Sequence, residues 1–418
     1  MNVLIKSATI LDDKSDFHNQ TQDILLENGF ITEIANSLKN PNKYPIISLE
    51  NLHVSSGWFD SSVSFGEPGF EERETLSNGL EVAAGSGFTD IALNSNTNPV
   101  IDSHSDISFV ISKSSNATTK LHPIGALTNE SKGTDLAELF DMKTAGSVAF
   151  GDYKKPIKNP NLLKIALQYA SNFNGVVHSF PHEAKVATKG VMNENITSTR
   201  LGLKGLPALA EELQIVRDLF ILEYTGGKLH IPTISTKKSV ELIRNAKSKK
   251  LDVSCSVAIH NLLYTDEKLI DFDTNFKVNP PLRLASDSEA LIEGLKDGTI
   301  DMVTSDHNPI NIEYKKIEFE YAKNGTIGLE SAFGALNSLF STKKTIQLLT
   351  KGKERFGVEN SIIKIGSLAH LSLFNPTKNY VFESKHIRSK SKNSLFIDTK
   401  LKGTVYGIIA NNKTSITI

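Results

Sequence analysis

Five side chains stand where chemistry is usually placed. Asp60, His178, His230, His260 and Asp306 each lie at or just past a short apolar run. Carboxylates and imidazoles are the groups that hold divalent metals and shuttle protons near neutral pH. Such groups act only if the fold makes them converge.

The runs before them supply a means. Phe88–Leu93, Ser147–Phe150, Val176–His178, Leu229–Ile234, Val253–Val257 and Asp301–Thr304 are short and apolar or β-branched, which predicts strands. Helical stretches separate them. Leu206–Leu222 places Leu206, Leu209, Ala210, Leu213, Val216, Leu219 and Phe220 at helical spacing, with charged residues on much of the other face. Alternation across residues 52–358 fits a (β/α)8 barrel or a doubly wound sheet. The barrel is preferred, because it gathers the C-terminal ends of its strands on one face.

The two ends of the chain differ from the middle. Val3-Leu4-Ile5 and Ile24-Leu25-Leu26 read as strands, and Glu27-Asn28-Gly29 as a hairpin turn before Phe30-Ile31. Ile365–Phe374 reads as a turn into a strand, and Gly403–Ala410 as another. Residues 1–51 and 359–418 are therefore expected to form one small sheet domain.

Composition narrows the class. The 418 residues carry a formal net charge of -1, which gives no bulk attraction to nucleic acid or anionic membrane. The one cysteine, Cys255, excludes an internal disulfide and reads as a buried strand residue. The N-terminus lacks a secretory pattern and no apolar run is long enough to span a membrane, so a cytoplasmic protein is expected.

Seven stretches carry a family likeness: Gly57-Trp58-Phe59-Asp60, Glu67-Pro68-Gly69, Asn96-Thr97-Asn98-Pro99, Gly190-Val191-Met192-Asn193-Glu194, Lys277-Val278-Asn279-Pro280-Pro281-Leu282-Arg283, Thr304-Ser305-Asp306-His307-Asn308-Pro309 and Gly328-Leu329-Glu330. In this order and spacing the chain resembles the long-form dihydroorotases of the amidohydrolase superfamily, nearly end to end. The resemblance implies an α/β fold, a (β/α)8 barrel with a β-sandwich built from both termini. It implies reversible closure of a cyclic amide, carbamoyl aspartate to dihydroorotate, at one or two Zn²⁺ ions.

Against that pattern the ligands are thin. The family's Asp-x-His-x-His-x-Arg stands here as Asp60-Ser61-Ser62-Val63-Ser64-Phe65-Gly66, so Ser62 and Ser64 replace the two histidines. A serine hydroxyl is a poor zinc ligand near neutral pH. Gly66 replaces the arginine that grips the substrate carboxylate, and Ile310 replaces a second charged grip. Thr233 replaces the second histidine of a His-x-x-His pattern that begins at His230. The resemblance leaves Asp152, His178 and Asp306 as residual metal positions, with either Asp152 or Tyr153 at the bridging place. Asp306 is also the family's proton shuttle, and Asn96 and Asn279 match substrate-binding asparagines. His260, Asn261 and His307 read as packing or supporting residues.

Two readings follow. One is a non-catalytic scaffold or regulatory partner of aspartate transcarbamoylase, with no cofactor and with a homodimer as a further expected assembly. The other is an active cyclic-amide hydrolase with at most one weakly bound divalent metal, zinc, at a reduced site.

Overall fold

The computed structural model describes residues 1–417. Eight parallel strands follow one another in chain order around the central sheet: Trp58–Val63, Phe88–Leu93, Lys120–Gly125, Ala149–Phe150, Val176–His178, Lys228–Ile231, Val253–Ala258 and Met302–Thr304. They are called the first to eighth barrel strands below. The first and eighth close the ring: Thr304 Oγ1 donates to the Ser62 carbonyl at 3.0 Å, and the Ser64 amide donates to the His307 carbonyl at 2.7 Å. Helices cover the outside, as βαβ crossovers require.

Strand boundaries follow the apolar runs closely, because buried parallel strands read as continuous hydrophobic segments. The third barrel strand departs from that rule. Lys120-Leu121-His122-Pro123-Ile124-Gly125 contains a proline, which argues against a central strand.

Both termini share one mixed sheet. Leu371–Phe382 and Thr399–Ala410 form its long antiparallel pair, and His53–Ser56 links that pair to Val3–Ile10. The sheet thus takes strand residues up to Ser56, and the first barrel strand begins directly after Gly57. The early hairpin forms as its turn chemistry demands: Asn28 and Gly29 both take positive φ, 52° and 83°, between Glu27 and its partner Phe30.

The barrel's interior below the strand ends is plugged by Phe59, Ile124, Val176, Met302 and Phe356. A buried polar brace crosses the same region. Asp90 accepts from Lys353 Nζ at 2.8 Å and pairs with His122 Nε2 at 2.9 Å. Burial raises the Asp90 carboxyl, but His122 and Lys353 outweigh it and hold the group low.

The helix expected over Leu206–Leu222 runs from Ala208 to Thr225, and it corrects the amphipathic pattern. Such a helix should bury its apolar face. Instead Glu211, Gln214 and Asp218 are buried with Ala210, Ile215, Leu219 and Leu222, while Leu209, Leu213 and Phe220 face outward. The polar groups are satisfied inside. Glu211 accepts from the Ser235 and Thr236 amides at 2.7 and 3.1 Å and from Ser239 Oγ at 2.6 Å. Asp218 accepts from Ser179 Oγ at 2.6 Å and from Arg217. Local bonds to neighbouring loops override the hydrophobic count.

Candidate functional site

The C-terminal strand ends meet around a small polar pocket. Ser61, Ser62, Asn94, Asp152, Tyr153, Lys154, His178, His230, Thr233 and Asp306 line it. Its free volume is about 20 Å³, room for roughly one water molecule.

Asp306 lines this pocket, two residues past the end of the eighth strand. Its carboxylate accepts from Lys154 Nζ at 2.7 Å, and Tyr153 OH stands 3.4 Å from the other oxygen. Lys154 and Tyr153 follow the fourth strand, where the chain turns inward with Lys154 at φ 52°. Burial raises the Asp306 carboxyl, and the Lys154 ammonium opposes that rise. The sequence pattern assigns Lys154 no role. The available signal was a basic side chain next to a strand end, facing a carboxylate left without its usual partners.

His178 ends the fifth strand, in register with His230 on the sixth. The two rings lie 4.8 Å apart, centre to centre, above Phe356. His230 bonds with Ser254 Oγ at 2.8 Å and Ser256 Oγ at 3.3 Å. His178 Nε2 is buried with no hydrogen-bond partner. Burial, then the charge of Arg355, pushes the His178 imidazole down to about 3.

Asp152 lines the pocket but points its oxygens elsewhere. Oδ1 accepts from the Leu127 and Thr128 amides at 3.0 and 3.1 Å, and Oδ2 from Thr128 Oγ1. It holds the loop after the third strand. Asp60 is likewise engaged, accepting from Thr304 Oγ1 at 2.6 Å and the Ser305 amide at 2.9 Å, so it fastens the first strand to the eighth.

Ser62 Oγ accepts from Asn94 Nδ2 at 3.0 Å, and Ser64 Oγ donates to Asn96 Oδ1 at 3.0 Å. Thr233 Oγ1 is buried without a partner, and its backbone has φ 52°. Asn96 and Asn279 do not line the pocket. The Asn279–Pro280 peptide is cis.

The two positions at which the resemblance implies a carboxylate grip are closed to a long side chain or buried. A Cβ on Gly66 would stand 1.8 Å from the Phe70 carbonyl oxygen, in a turn held by the Phe70 amide donating to the Gly66 carbonyl at 2.8 Å. Ile310 is buried, its amide donating to Asn393 Oδ1 at 3.0 Å. Among the described residues, no three His, Cys, Asp or Glu side chains are grouped so as to hold a metal ion.

Three more buried features complete the surroundings. His260 has neither ring nitrogen bonded, and burial, then Lys154, pushes it down to about 3. His307 Nδ1 faces the Gly328 amide at 3.3 Å, and burial pushes it down to about 4 despite Glu330. Cys255 is fully buried in the seventh strand, and burial raises its thiol.

These histidines set an acid limb to stability. The unfolded chain protonates them near pH 6.5, whereas the folded chain resists to about pH 3 or 4. Stability present above pH 6.5 is therefore lost as pH falls through that window, by about 1.4 kcal/mol per pH unit for each ring. The buried carboxyls of Asp60, Asp152 and Asp306 are raised and act in the opposite sense. His260→Gln should flatten the limb by one such increment in urea unfolding between neutral pH and about pH 5. An unchanged slope would mean that His260 takes up its proton while folded.

The fold defines the class of protein. The chain superimposes on the L-hydantoinase (dihydropyrimidinase) of Arthrobacter aurescens with a TM-score of 0.84 at 20% identity, covering 100% of this chain and 97% of the other. It superimposes on a D-hydantoinase (dihydropyrimidinase) of Thermus sp. with a TM-score of 0.80 at 19% identity, covering 98% and 94%. The architecture is thus that of the hydantoinase-like barrels with an accessory sheet.

Sequence narrows it further. Residues 53–239 match the family described as Dihydro-orotase-like. The chain is 38% identical over 422 residues to a dihydroorotase of Acetivibrio thermocellus, covering 99% of each. It is 37% identical over 417 residues to a dihydroorotase of Citrifermentans bemidjiense, covering 98% of each. The chain belongs to the dihydroorotase family. Among the described residues no helix is long and apolar enough to cross a membrane.

Proposed function

We propose that this protein is a non-catalytic member of the dihydroorotase family, a cytoplasmic scaffold or regulatory partner of aspartate transcarbamoylase in pyrimidine synthesis. The observation that carries the reading is the ion pair between Lys154 and Asp306, 2.7 Å long in a pocket with room for roughly one water molecule. The pocket residues do not fit a divalent ion. Asp306 is held by a fixed cation, Asp152 is spent on a loop, and Ser62, Ser64 and Thr233 bring only hydroxyls to three further positions, which leaves His178 as the one uncommitted ligand of the set. The chain offers neither the ligand set of a metal-dependent hydrolase nor, at Gly66 and Ile310, the charged groups that would grip a substrate carboxylate.

A second reading has one observation in its favour. His178 Nε2 is buried and unpartnered beside Asp306, which suits a reduced site with one weakly held zinc. Metal analysis of the purified protein separates the two, together with carbamoyl aspartate cyclisation in added Zn²⁺, Mn²⁺ or Co²⁺. The non-catalytic reading expects substoichiometric metal and no turnover above background. Stoichiometric metal with turnover establishes the second. Co-purification with aspartate transcarbamoylase tests the partner, and two independently migrating proteins would refute it.

A further inference from the structure

After the eighth barrel strand the chain runs out through a strap, residues 311–323, and comes back to where it left. The Asn308 amide donates to the Thr326 carbonyl at 2.8 Å, so the two ends of the strap meet. Along it only Lys315, Phe319 and Ala322 are buried. Phe319 packs on Met192 and Leu269, in the loops after the fifth and seventh strands. The strap therefore lies across the strand-end face that carries the pocket.

Its polar fastening is a reciprocal clasp. Lys315 Nζ donates to the carbonyls of Thr274 and Lys277 at 2.8 and 3.4 Å. Lys277 Nζ donates back to those of Phe319 and Glu320 at 2.7 and 2.8 Å. Thr274 Oγ1 adds a bond to the Lys315 carbonyl at 2.6 Å. Among the described residues, every other hydrogen bond made by residues 311–323 stays within the strap. Two lysines and one threonine thus tie the strap down.

The clasp suits amines better than ammonium ions. Lys277 and Lys315 are 4% and 3% exposed, and each makes two hydrogen bonds. A neutral amine supplies both, whereas an ammonium brings a further donor and a charge. Among the described residues neither group is paired with a carboxylate. Burial, then the neighbouring Lys277, pushes Lys315 down to about 7; Lys154, from the loop after the fourth strand, adds to this, and Asp273, before the clasp, opposes it. Burial pushes Lys277 down to about 8 against the pull of Glu320 on the strap. An exposed lysine keeps its proton to about pH 10.4. A lifted strap therefore binds protons that the fastened strap gives up. By linkage the fastened form gains as pH rises and weakens as pH falls through about 8 and 7.

We propose that residues 311–323 are a proton-operated strap across the barrel mouth, held shut by Lys277 and Lys315 as neutral amines and loosened when they take up protons. Amide hydrogen exchange of the full chain, read by mass spectrometry and corrected for the intrinsic rate at each pH, tests it. Protection of the strap should fall about tenfold or more from about pH 9 to about pH 7. The strap should also exchange faster than helix Ala208–Thr225 at both ends of that range, as a local opening requires. Lys315→Met keeps a buried stem without the proton and should roughly halve the fall on a logarithmic scale. Lys277→Met with Lys315→Met should abolish it, and the single variant still reads the effect if the double one does not fold. A flat wild-type profile, a profile that Lys315→Met leaves unchanged, or a strap that exchanges no faster than the helix would overturn the proposal.

Discussion

Restoring the three family histidines by Ser62→His, Ser64→His and Thr233→His is expected to leave the protein without stoichiometric zinc. Adding Lys154→Ala to that variant is expected to let it take up about one ion per chain. The reason is electrostatic. Lys154 Nζ lies 2.7 Å from the Asp306 carboxylate, in the pocket that Ser62, His178 and Thr233 also line. A divalent ion about 4 Å from a fixed ammonium meets roughly 8 kcal/mol of repulsion at an effective dielectric constant near 20. That is a large fraction of the roughly 10–16 kcal/mol a complete structural zinc site provides. Removing the lysine lifts the repulsion and frees Asp306 to serve as a ligand. Metal content after dialysis, by inductively coupled plasma mass spectrometry, reads the outcome directly. Stoichiometric zinc in the triple variant would show that Lys154 is no barrier. Turnover is not expected in either variant. The turn at Gly66 has no room for an arginine, and Ile310 is built into the interior.

The backbone supports part of that restoration. Thr233 sits at φ 52°, where a β-branched side chain is disfavoured and histidine is tolerated better. The loop thus has a backbone conformation that strains threonine more than it would histidine. The same contrast explains what could be read from sequence. Strand positions followed from continuous apolar runs such as Phe88–Leu93 and Val176–His178, since burial on both faces leaves little freedom in composition. The positions of Ser62, Thr233 and Asp306 around one pocket followed from the resemblance plus barrel geometry. Lys154 was not legible, because its role depends on a long flexible side chain reaching across to the eighth strand. Nor was the function of Asp152, whose oxygens turn to Leu127 and Thr128 across a loop. The orientation of helix Ala208–Thr225 failed for a third reason. Glu211, Gln214 and Asp218 found partners in neighbouring loops, at Ser235, Ile157 and Ser179, and hydrophobic periodicity carries no information about such partners.

Lys154→Met should cost about 3–5 kcal/mol of folding stability at neutral pH, measured by urea unfolding. Asp306 is buried almost completely, and with the ammonium gone its nearest remaining side-chain partner is Tyr153 OH at 3.4 Å. A carboxylate left in that position must stay charged without compensation or take up a proton. Its pKa, already raised by burial, then moves further up. The sign of the pH dependence follows. Above the ordinary carboxylate range the folded variant binds a proton that the unfolded chain does not, so its stability falls as pH rises. The deficit relative to wild type is therefore largest at neutral pH and shrinks as pH falls toward about 4. Comparing the two proteins at each pH cancels the opposite trend from His178 and His307, while that of His260 eases in the variant because Lys154 no longer opposes its proton. The double variant Lys154→Met, Asp306→Asn removes the charge along with its partner and should recover most of the loss, to within about 1 kcal/mol. If Lys154→Met alone costs under about 1 kcal/mol at neutral pH, the pair is solvated like a surface ion pair. The ammonium would then not be the fixed cation on which the non-catalytic reading rests.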